Sequence, residues 1–216
     1  MNDLAFRTKP VSGAVELFGW LSALFAASPN LEAIAAHRRG AASAWMRRLA
    51  AEPALAPGLR KMRRVLDGDA DDKEIQAKIE RRYLLLFEGV GGPRTAPPYE
   101  SVFTPGAEWR LFQEPTAEME ALLAECDLSV SDDFALPADH LAVELALAAH
   151  LAARHDPRAY AMVDRLTRWA PRFAAAVAAV DEDGFWAGAA DVVAAALRHG
   201  QDAFDTPQKE TEEANA

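Results

Sequence analysis

The chain has 216 residues, half of them hydrophobic, and a single cysteine, Cys126. Its net charge of −10 at pH 7 argues against general affinity for nucleic acid, because phosphates attract a basic surface. One cysteine excludes an intrachain disulfide and a zinc site built on cysteine pairs, and it fits a reducing compartment.

The first part of the sequence predicts amphipathic helices. Residues 10–27 repeat apolar side chains at spacings of three and four, which predicts a core-facing first helix. Asp3 and Glu16 make this segment a poor signal peptide, and no run approaches the roughly 20 apolar residues of a membrane span. Further helices are predicted over Leu31–Ala50, Leu59–Leu66 and Lys73–Phe87, the last preceded by capping acids at 67–72.

Residues 88–107 interrupt this helical pattern. They contain four glycines and four prolines, too many to continue a helix. Loops of this length in compact domains are usually functional or disordered, and the aromatic residues near its end favour order. We therefore expect a loop or hinge here between two groups of helices.

The second half of the sequence again predicts helices. They run over about 115–126, Pro137–Arg154, a segment opened by Asp156-Pro157 and ended by Pro171, 172–181, and Phe185–Leu197. No strand alternation is present, so the predicted fold is an all-α bundle of roughly nine helices. We expect one helical domain over 1–200, with helices at 10–87 and 108–200, and a disordered acidic tail at 201–216.

Catalytic motifs are few. His140 and Glu144 lie four apart on one predicted helix and therefore share a face, a spacing that can hold a metal ion. His150 lies about 15 Å further along the axis and cannot readily join them. A metal-dependent hydrolase using His140 and Glu144 stays an alternative, but the sequence predicts no cofactor, no phosphate-binding loop and no nucleophile elbow.

Aromatic and apolar residues recur beside carboxylates on both sides of the loop. Such a cluster is either ordinary core or a groove that binds an apolar segment and places acids to meet cationic side chains. Its members are Tyr83, Leu86, Phe87, Tyr99, Glu100, Phe103, Asp139 and His140.

Two of these segments resemble a known family. YLLLFEGVGGPRTAPPYESVF, residues 83–103, resembles the loop motif of the TorD/DmsD-type chaperones, and LPADHLAVELALAAHL, from Leu136, resembles their P.DH...EL helix start. LSALFAASP, RWAPRF and GFWAGAADVVAAAL are weaker matches in the same order. The resemblance spans about residues 14–198 and implies an all-helical, non-enzymatic protein.

The family binds the twin-arginine signal peptide of a molybdopterin-dependent oxidoreductase, holding the enzyme in the cytoplasm until its cofactor is inserted. The resemblance carries the signal-binding role to Tyr83, Leu86, Phe87, Tyr99, Phe103, Asp139 and His140, and a loop-shaping role to Pro97, Pro98, Ser101 and Pro137. We interpret Glu100 and Asp139 as the acceptors of arginine and His140 as contacting the peptide backbone or orienting Asp139, with binding that depends on pH near the ordinary histidine pKa of about 6.5. Ala26 and Tyr99 replace an aromatic residue and a tryptophan that are common in the family.

The sequence therefore predicts a cytoplasmic chaperone for an apo-molybdoenzyme of the DMSO or TMAO reductase type. We expect no nucleic-acid partner, no stable membrane insertion, and a monomer or a domain-swapped dimer. The alternative within the same class is an assembly chaperone for a nitrate reductase subunit that is not exported. The sequence indicates no position for a guanine nucleotide, which some members bind weakly.

Overall fold

The computed structural model describes residues 11–89, 92–104, 111–130, 136–181 and 184–205. These ranges contain ten α-helices, a 3₁₀ turn at Gly92–Arg94 and no β-strand, which confirms the predicted all-α fold. The helices are α1 (Val11–Ala26), α2 (Leu31–Arg39), α3 (Ala41–Leu49), α4 (Ala56–Leu66), α5 (Asp72–Phe87), α6 (Glu100–Phe103), α7 (Glu114–Glu125), α8 (Leu141–Ala153), α9 (Arg158–Asp181) and α10 (Phe185–Asp205).

Helix α10 lies at the centre of the bundle. It packs against α9 and α4, while α8 packs against α1 and α9. From Phe185 to Leu197 every residue of α10 except Asp191 is buried. Small residues let the helices approach closely: a Cβ atom at Gly188 would lie 2.6 Å from the carbonyl oxygen of Gly58 on α4. The α4–α10 crossing is therefore a contact between backbones.

Local capping explains why α5 begins where the sequence predicts. The Asp71 side chain accepts hydrogen bonds from the amides of Lys73 and Glu74, and the Glu74 carboxylate accepts one from the Asp71 amide. This capping box satisfies amide groups that have no partner inside the helix. The buried stripe of Ile75, Ile79, Tyr83, Leu86 and Phe87 matches the predicted core face.

The prediction of one helix over Leu31–Ala50 is wrong. Gly40 has extended backbone angles and ends α2, and α3 begins directly after it. Glycine is the least costly residue for such a break, since its flexible backbone disfavours a helix interior. A Cβ atom at Gly40 would also lie 3.0 Å from the Cα of Ala36.

The predicted division at Pro171 is also wrong, because α9 continues from Arg158 to Asp181 through this proline. Buried residues on both sides, including Trp169, Ala170 and Phe173, face the same core and hold the two halves in line. The last helix continues beyond the expected end at Leu197 to Asp205, and residues 206–216 of the predicted tail lie outside the described residues. Within the described part of the chain, no helix is both long and apolar enough to cross a membrane.

Candidate functional site

The two segments that carry the family resemblance meet in space. The Leu141 amide donates to the Pro98 carbonyl at 2.8 Å, and the Glu100 amide donates to the Asp139 carbonyl at 3.0 Å. Between these bonds, Tyr99 and His140 form an isolated antiparallel bridge, with their rings 4.9 Å apart and nearly perpendicular. We call this unit, Pro98–Ser101 joined to Asp139–Leu141, the α6–α8 junction.

Asp139 fixes the junction from inside. Its side chain is fully buried and accepts hydrogen bonds from the Ser101 amide at 3.0 Å, from the Ser101 hydroxyl, and from the Thr116 hydroxyl at 2.8 Å. The carboxylate thus caps α6 and ties it to α7. In this conformation Asp139 has no open side toward a peptide arginine.

His140 caps α8. Its Nδ1 accepts a hydrogen bond from the Ala142 amide at 3.0 Å, and only 2% of the residue is exposed. Burial lowers the pKa of His140 to about 4, although the Asp139 carboxylate acts in the opposite direction. The imidazole is therefore neutral at physiological pH, and the proposed pH response near 6.5 does not follow from this environment.

Glu100 is already paired with an arginine of the chain. Arg165 on α9 donates through Nε to the Glu100 carboxylate at 2.7 Å and through Nη1 to Glu118 at 2.8 Å. Burial raises the pKa of Glu100, while the Arg165 guanidinium lowers it. Arg172, two turns further along α9, donates to the Phe103 carbonyl at 3.0 Å. The two arginines therefore hold both ends of α6 against α9.

Glu144 lies deeper in the same network. It is fully buried, and its Oε2 accepts a hydrogen bond from the Trp169 indole at 3.1 Å. Burial raises the pKa of Glu144 well above its ordinary value, and the neighbouring Glu100 carboxylate raises it further. Burial therefore favours the protonated, uncharged form of the Glu144 carboxyl group.

His140 and Glu144, the predicted metal-binding pair, are both committed to other hydrogen bonds. His140 directs Nδ1 at a backbone amide, and Glu144 is hydrogen-bonded to Trp169. Over the ranges that the structure describes, no group of three His, Cys, Asp or Glu side chains is placed to hold a metal ion.

The aromatic residues predicted to bind the peptide lie close together, but they are buried from solvent. Tyr83 and Phe87 pack against Trp186 of α10, each with ring centroids 5.2 Å apart. Phe103 stacks on Trp169, and Phe173 contacts both Phe87 and Phe103. Exposure does not exceed 9% for any of Tyr83, Leu86, Phe87, Tyr99 and Phe103. These residues form core in this conformation, so their role in binding a peptide stays a prediction.

The loop-shaping candidates supply backbone contacts. The carbonyl of Pro98 accepts from α8, that of Pro97 accepts from the Tyr99 amide at 2.9 Å, and that of Pro137 accepts from the His140 amide at 3.1 Å. Burial raises the pKa of Tyr99 to about 12, so its hydroxyl keeps its proton. Together these contacts give the segment before α6 one defined path.

Sequence reasoning missed the residues of α7 and α9 that complete the network. Thr116, Arg165, Arg172 and Trp169 all contact site residues, yet none was given a site role. Trp169 and Arg172 lie in the weaker match RWAPRF, and Arg165 is seven residues before Arg172 on the same helix face, so these two local signals could have indicated them. Their partners lie 65 and 69 residues away, so sequence spacing could not identify the pairs.

Comparison with known proteins identifies the family. The model of the nitrate reductase delta subunit family matches residues 52–175. The chain is 32% identical to the chaperone protein TorD of Shewanella loihica, over 86% of this chain and 90% of that protein, and 32% identical to TorD of Shewanella piezotolerans, over 83% and 86%.

A solved structure shares the fold. It is described as a redox enzyme maturation protein from Archaeoglobus fulgidus and superposes with a TM-score of 0.53 at 19% identity, covering 92% of this chain and 99% of that one. The relatives are named as chaperones, which confirms the predicted non-enzymatic role. This chain belongs to the TorD chaperone family.

Proposed function

We propose that this protein is a cytoplasmic chaperone that binds the twin-arginine signal peptide and the apo form of a molybdopterin-dependent oxidoreductase, assists cofactor insertion and prevents premature export. Likeness to TorD chaperones over most of the chain supports this role. The observation that carries the proposal is the α6–α8 junction, in which the two motif segments pair through backbone hydrogen bonds. The parts of the chain most like the family are thus parts of one unit.

The closed structure suggests how the unit accepts an arginine. Glu100 already binds the guanidinium of Arg165 by a charge-assisted hydrogen bond, the interaction that a peptide arginine offers to a carboxylate. When α6 separates from α9, Glu100 exchanges Arg165 for an arginine of the client. The same movement uncovers the Phe103 ring and the Trp169 and Phe173 rings of α9 against which it packs.

Titration with a twin-arginine signal peptide tests the proposal. We expect binding to the wild-type protein, and a loss of about tenfold or more in affinity for Tyr99→Ala and for Glu100→Gln. Asp69→Asn, an exposed acid in the turn before α5, is the matched control and should bind like the wild type.

The peptide provides a second control. A leader with two lysines keeps the charge but loses the planar, bidentate geometry of arginine, so it should bind more weakly. Wild-type protein that does not bind the arginine leader contradicts the proposed function. Unchanged affinity in both Tyr99→Ala and Glu100→Gln contradicts the residue assignment alone.

The family model supports a second candidate. Its description names the delta subunit of nitrate reductase, and the model covers residues 52–175, which include α4 through most of α9. In this alternative the client is a nitrate reductase subunit without an export signal. Identification of the enzyme co-purified with the full chain separates the two: a client lacking a twin-arginine leader favours the second.

A further inference from the structure

The outer side of α8 carries an open apolar groove made of two adjoining hollows. One has a volume of about 390 Å³ and lies between α1, α8 and the segment after α7, and the other, of about 440 Å³, extends toward Pro137. They share part of the wall, including Leu128 and Val130. We call them together the α8 groove. Each is large enough for several side chains of a bound segment.

The turn at the end of α7 shapes one wall of the groove. The Leu128 amide donates to the Leu123 carbonyl at 2.9 Å, and the Asp127 amide donates to the Ala124 carbonyl at 3.0 Å. With Asp127 at φ 55°, this is a Schellman ending, which returns the chain over the helix it leaves. Leu128 is thereby held beside Leu123, and both line the groove.

On the opposite wall, Ala26 of α1 and Ala142 and Ala146 of α8 present small side chains beside Val143 and Leu147. From Leu141 to Ala149, Ala146 is the one exposed residue of α8, and it lines the first hollow. At the rim of the second hollow, Phe112 is 72% exposed with φ 57°, a backbone conformation that bulky residues rarely adopt. A large ring exposed on an apolar surface is typical of a place where another molecule binds.

Charge around the groove favours a cationic partner. Residues 111–130 contain five acids, all exposed, and neither lysine nor arginine. Glu120 is one of them and lies in the lining of the second hollow. At the other end, α8 lines the groove as far as His150, about 12 Å from Ala142 along the helix axis.

We propose that the α8 groove receives the apolar segment of the client's twin-arginine leader as a short helix, with the arginine end toward α7 and Glu100, which Arg165 already links to Glu118 of α7. This inference rests on the proposed function and names the part of the surface that the leader occupies. About 12 Å of helix corresponds to roughly eight residues, within the 7–15 residues of a signal-peptide apolar region. The groove would bury the apolar segment of such a leader, and the acids beside it would pair with the arginines.

Filling the groove tests the proposal directly. Ala146→Trp places a large side chain in the first hollow from an exposed position, so the buried face of α8 is unchanged. The matched control is Ala77→Trp, an equally exposed helical alanine in a separate hollow of about 720 Å³ beside α5. In a titration with the leader peptide we expect a loss of about tenfold or more for Ala146→Trp and wild-type affinity for Ala77→Trp.

The outcomes separate this inference from the proposed function. Wild-type protein that binds no leader removes both. Leader binding that is equally strong in wild type and Ala146→Trp overturns the groove and leaves the proposed function standing. If light scattering shows a dimer for the wild type and a monomer for Ala146→Trp, the groove binds a second copy of this chain, and the proposal is wrong.

Cross-linking keeps the test independent of folding effects in the tryptophan variant. A leader with a photoreactive phenylalanine in its apolar segment is bound to the wild-type chain, and the labelled peptide is identified by mass spectrometry. Labels within 123–130 or 142–150 support the proposal. Labels confined to 83–103 overturn it.

Glu120→Lys should weaken binding of the arginine leader more than binding of a leader with the arginines replaced by glutamine.

Discussion

The α6–α8 junction and the α4–α10 crossing are both buried, but different interactions hold them. At the junction, the Asp139 carboxylate collects three hydrogen bonds, and the ionisable Glu144 lies nearby. At the crossing, Gly58 and Gly188 bring two backbones together without a side chain between them. The first contact depends on charge and hydrogen-bond direction, and the second on volume. Each should therefore respond to a change that leaves the other intact.

The largest effect is expected at the junction. Asp139→Ala leaves the Ser101 amide, the Ser101 hydroxyl and the Thr116 hydroxyl without their buried acceptor, so we expect the free energy of unfolding to fall by about 3 kcal/mol. Urea denaturation measures this loss. Asp71→Ala, which removes an exposed helix cap, is the control and should cost about 1 kcal/mol. Equal losses in the two variants would show that the junction adds nothing beyond ordinary capping.

The crossing should respond to one added methyl group. In Gly188→Ala the new Cβ meets the Gly58 oxygen at 2.6 Å and the Met62 side chain at 2.8 Å, so we expect a loss of about 2 kcal/mol. Gly19→Ala on α1 is the matched control, because a Cβ there meets nothing within 4 Å and alanine favours the helix by about 1 kcal/mol. Thermal or urea unfolding of both variants should give opposite signs. A neutral Gly188→Ala would contradict the close backbone contact.

The free energy of unfolding should also change with pH, because His140 at the junction titrates differently in the folded and unfolded chain. Its pKa is about 4 in the fold and about 6.5 in the unfolded chain, so the unfolded state takes up the proton first as the pH falls. Stability present above pH 6.5 is then lost toward pH 4, at up to about 1.4 kcal/mol per pH unit. His140→Asn keeps a capping side chain but does not titrate, so its stability should fall less steeply over this range.

Glu144 should change the free energy of unfolding with pH in the opposite direction. Its pKa is raised in the fold, so its contribution is complete below the ordinary value near 4.5 and is lost as the pH rises toward the raised value. Glu144→Gln keeps an acceptor for the Trp169 indole and removes this loss. Unfolding free energies measured from pH 4.5 to 8 should show the variant gaining on the wild type as pH rises. A constant difference would mean that Glu144 is ionised in the fold.

Features that depend on neighbouring residues were predictable from the sequence. The start of α5 follows from Asp71 and Glu74, and the core face of α1 follows from its apolar spacing. Gly40 and Pro171 show the limit of such rules. The glycine breaks a helix that its neighbours favour, whereas the proline is accommodated because buried residues on both sides hold α9 in place.

The candidate site was predictable only as a set of residues. The resemblance indicated Tyr99, Glu100, Asp139 and His140, and the structure joins them in one unit. It could not indicate that Asp139 caps another helix or that Glu100 has Arg165 as its partner, because these contacts join residues 38 and 65 positions apart. Burial, which decides whether these side chains face a peptide or the core, depends on the packing of α9 and α10 over them.

The attachment of α6 at both ends has a kinetic consequence. Arg165 and Arg172 belong to one helix, so α6 detaches from it only when both contacts are broken at the same time. We expect detachment to be an infrequent, all-or-none event whose rate the chaperone sets for itself. If capture of a client waits for it, the observed association rate will level off at high client concentration instead of rising without limit.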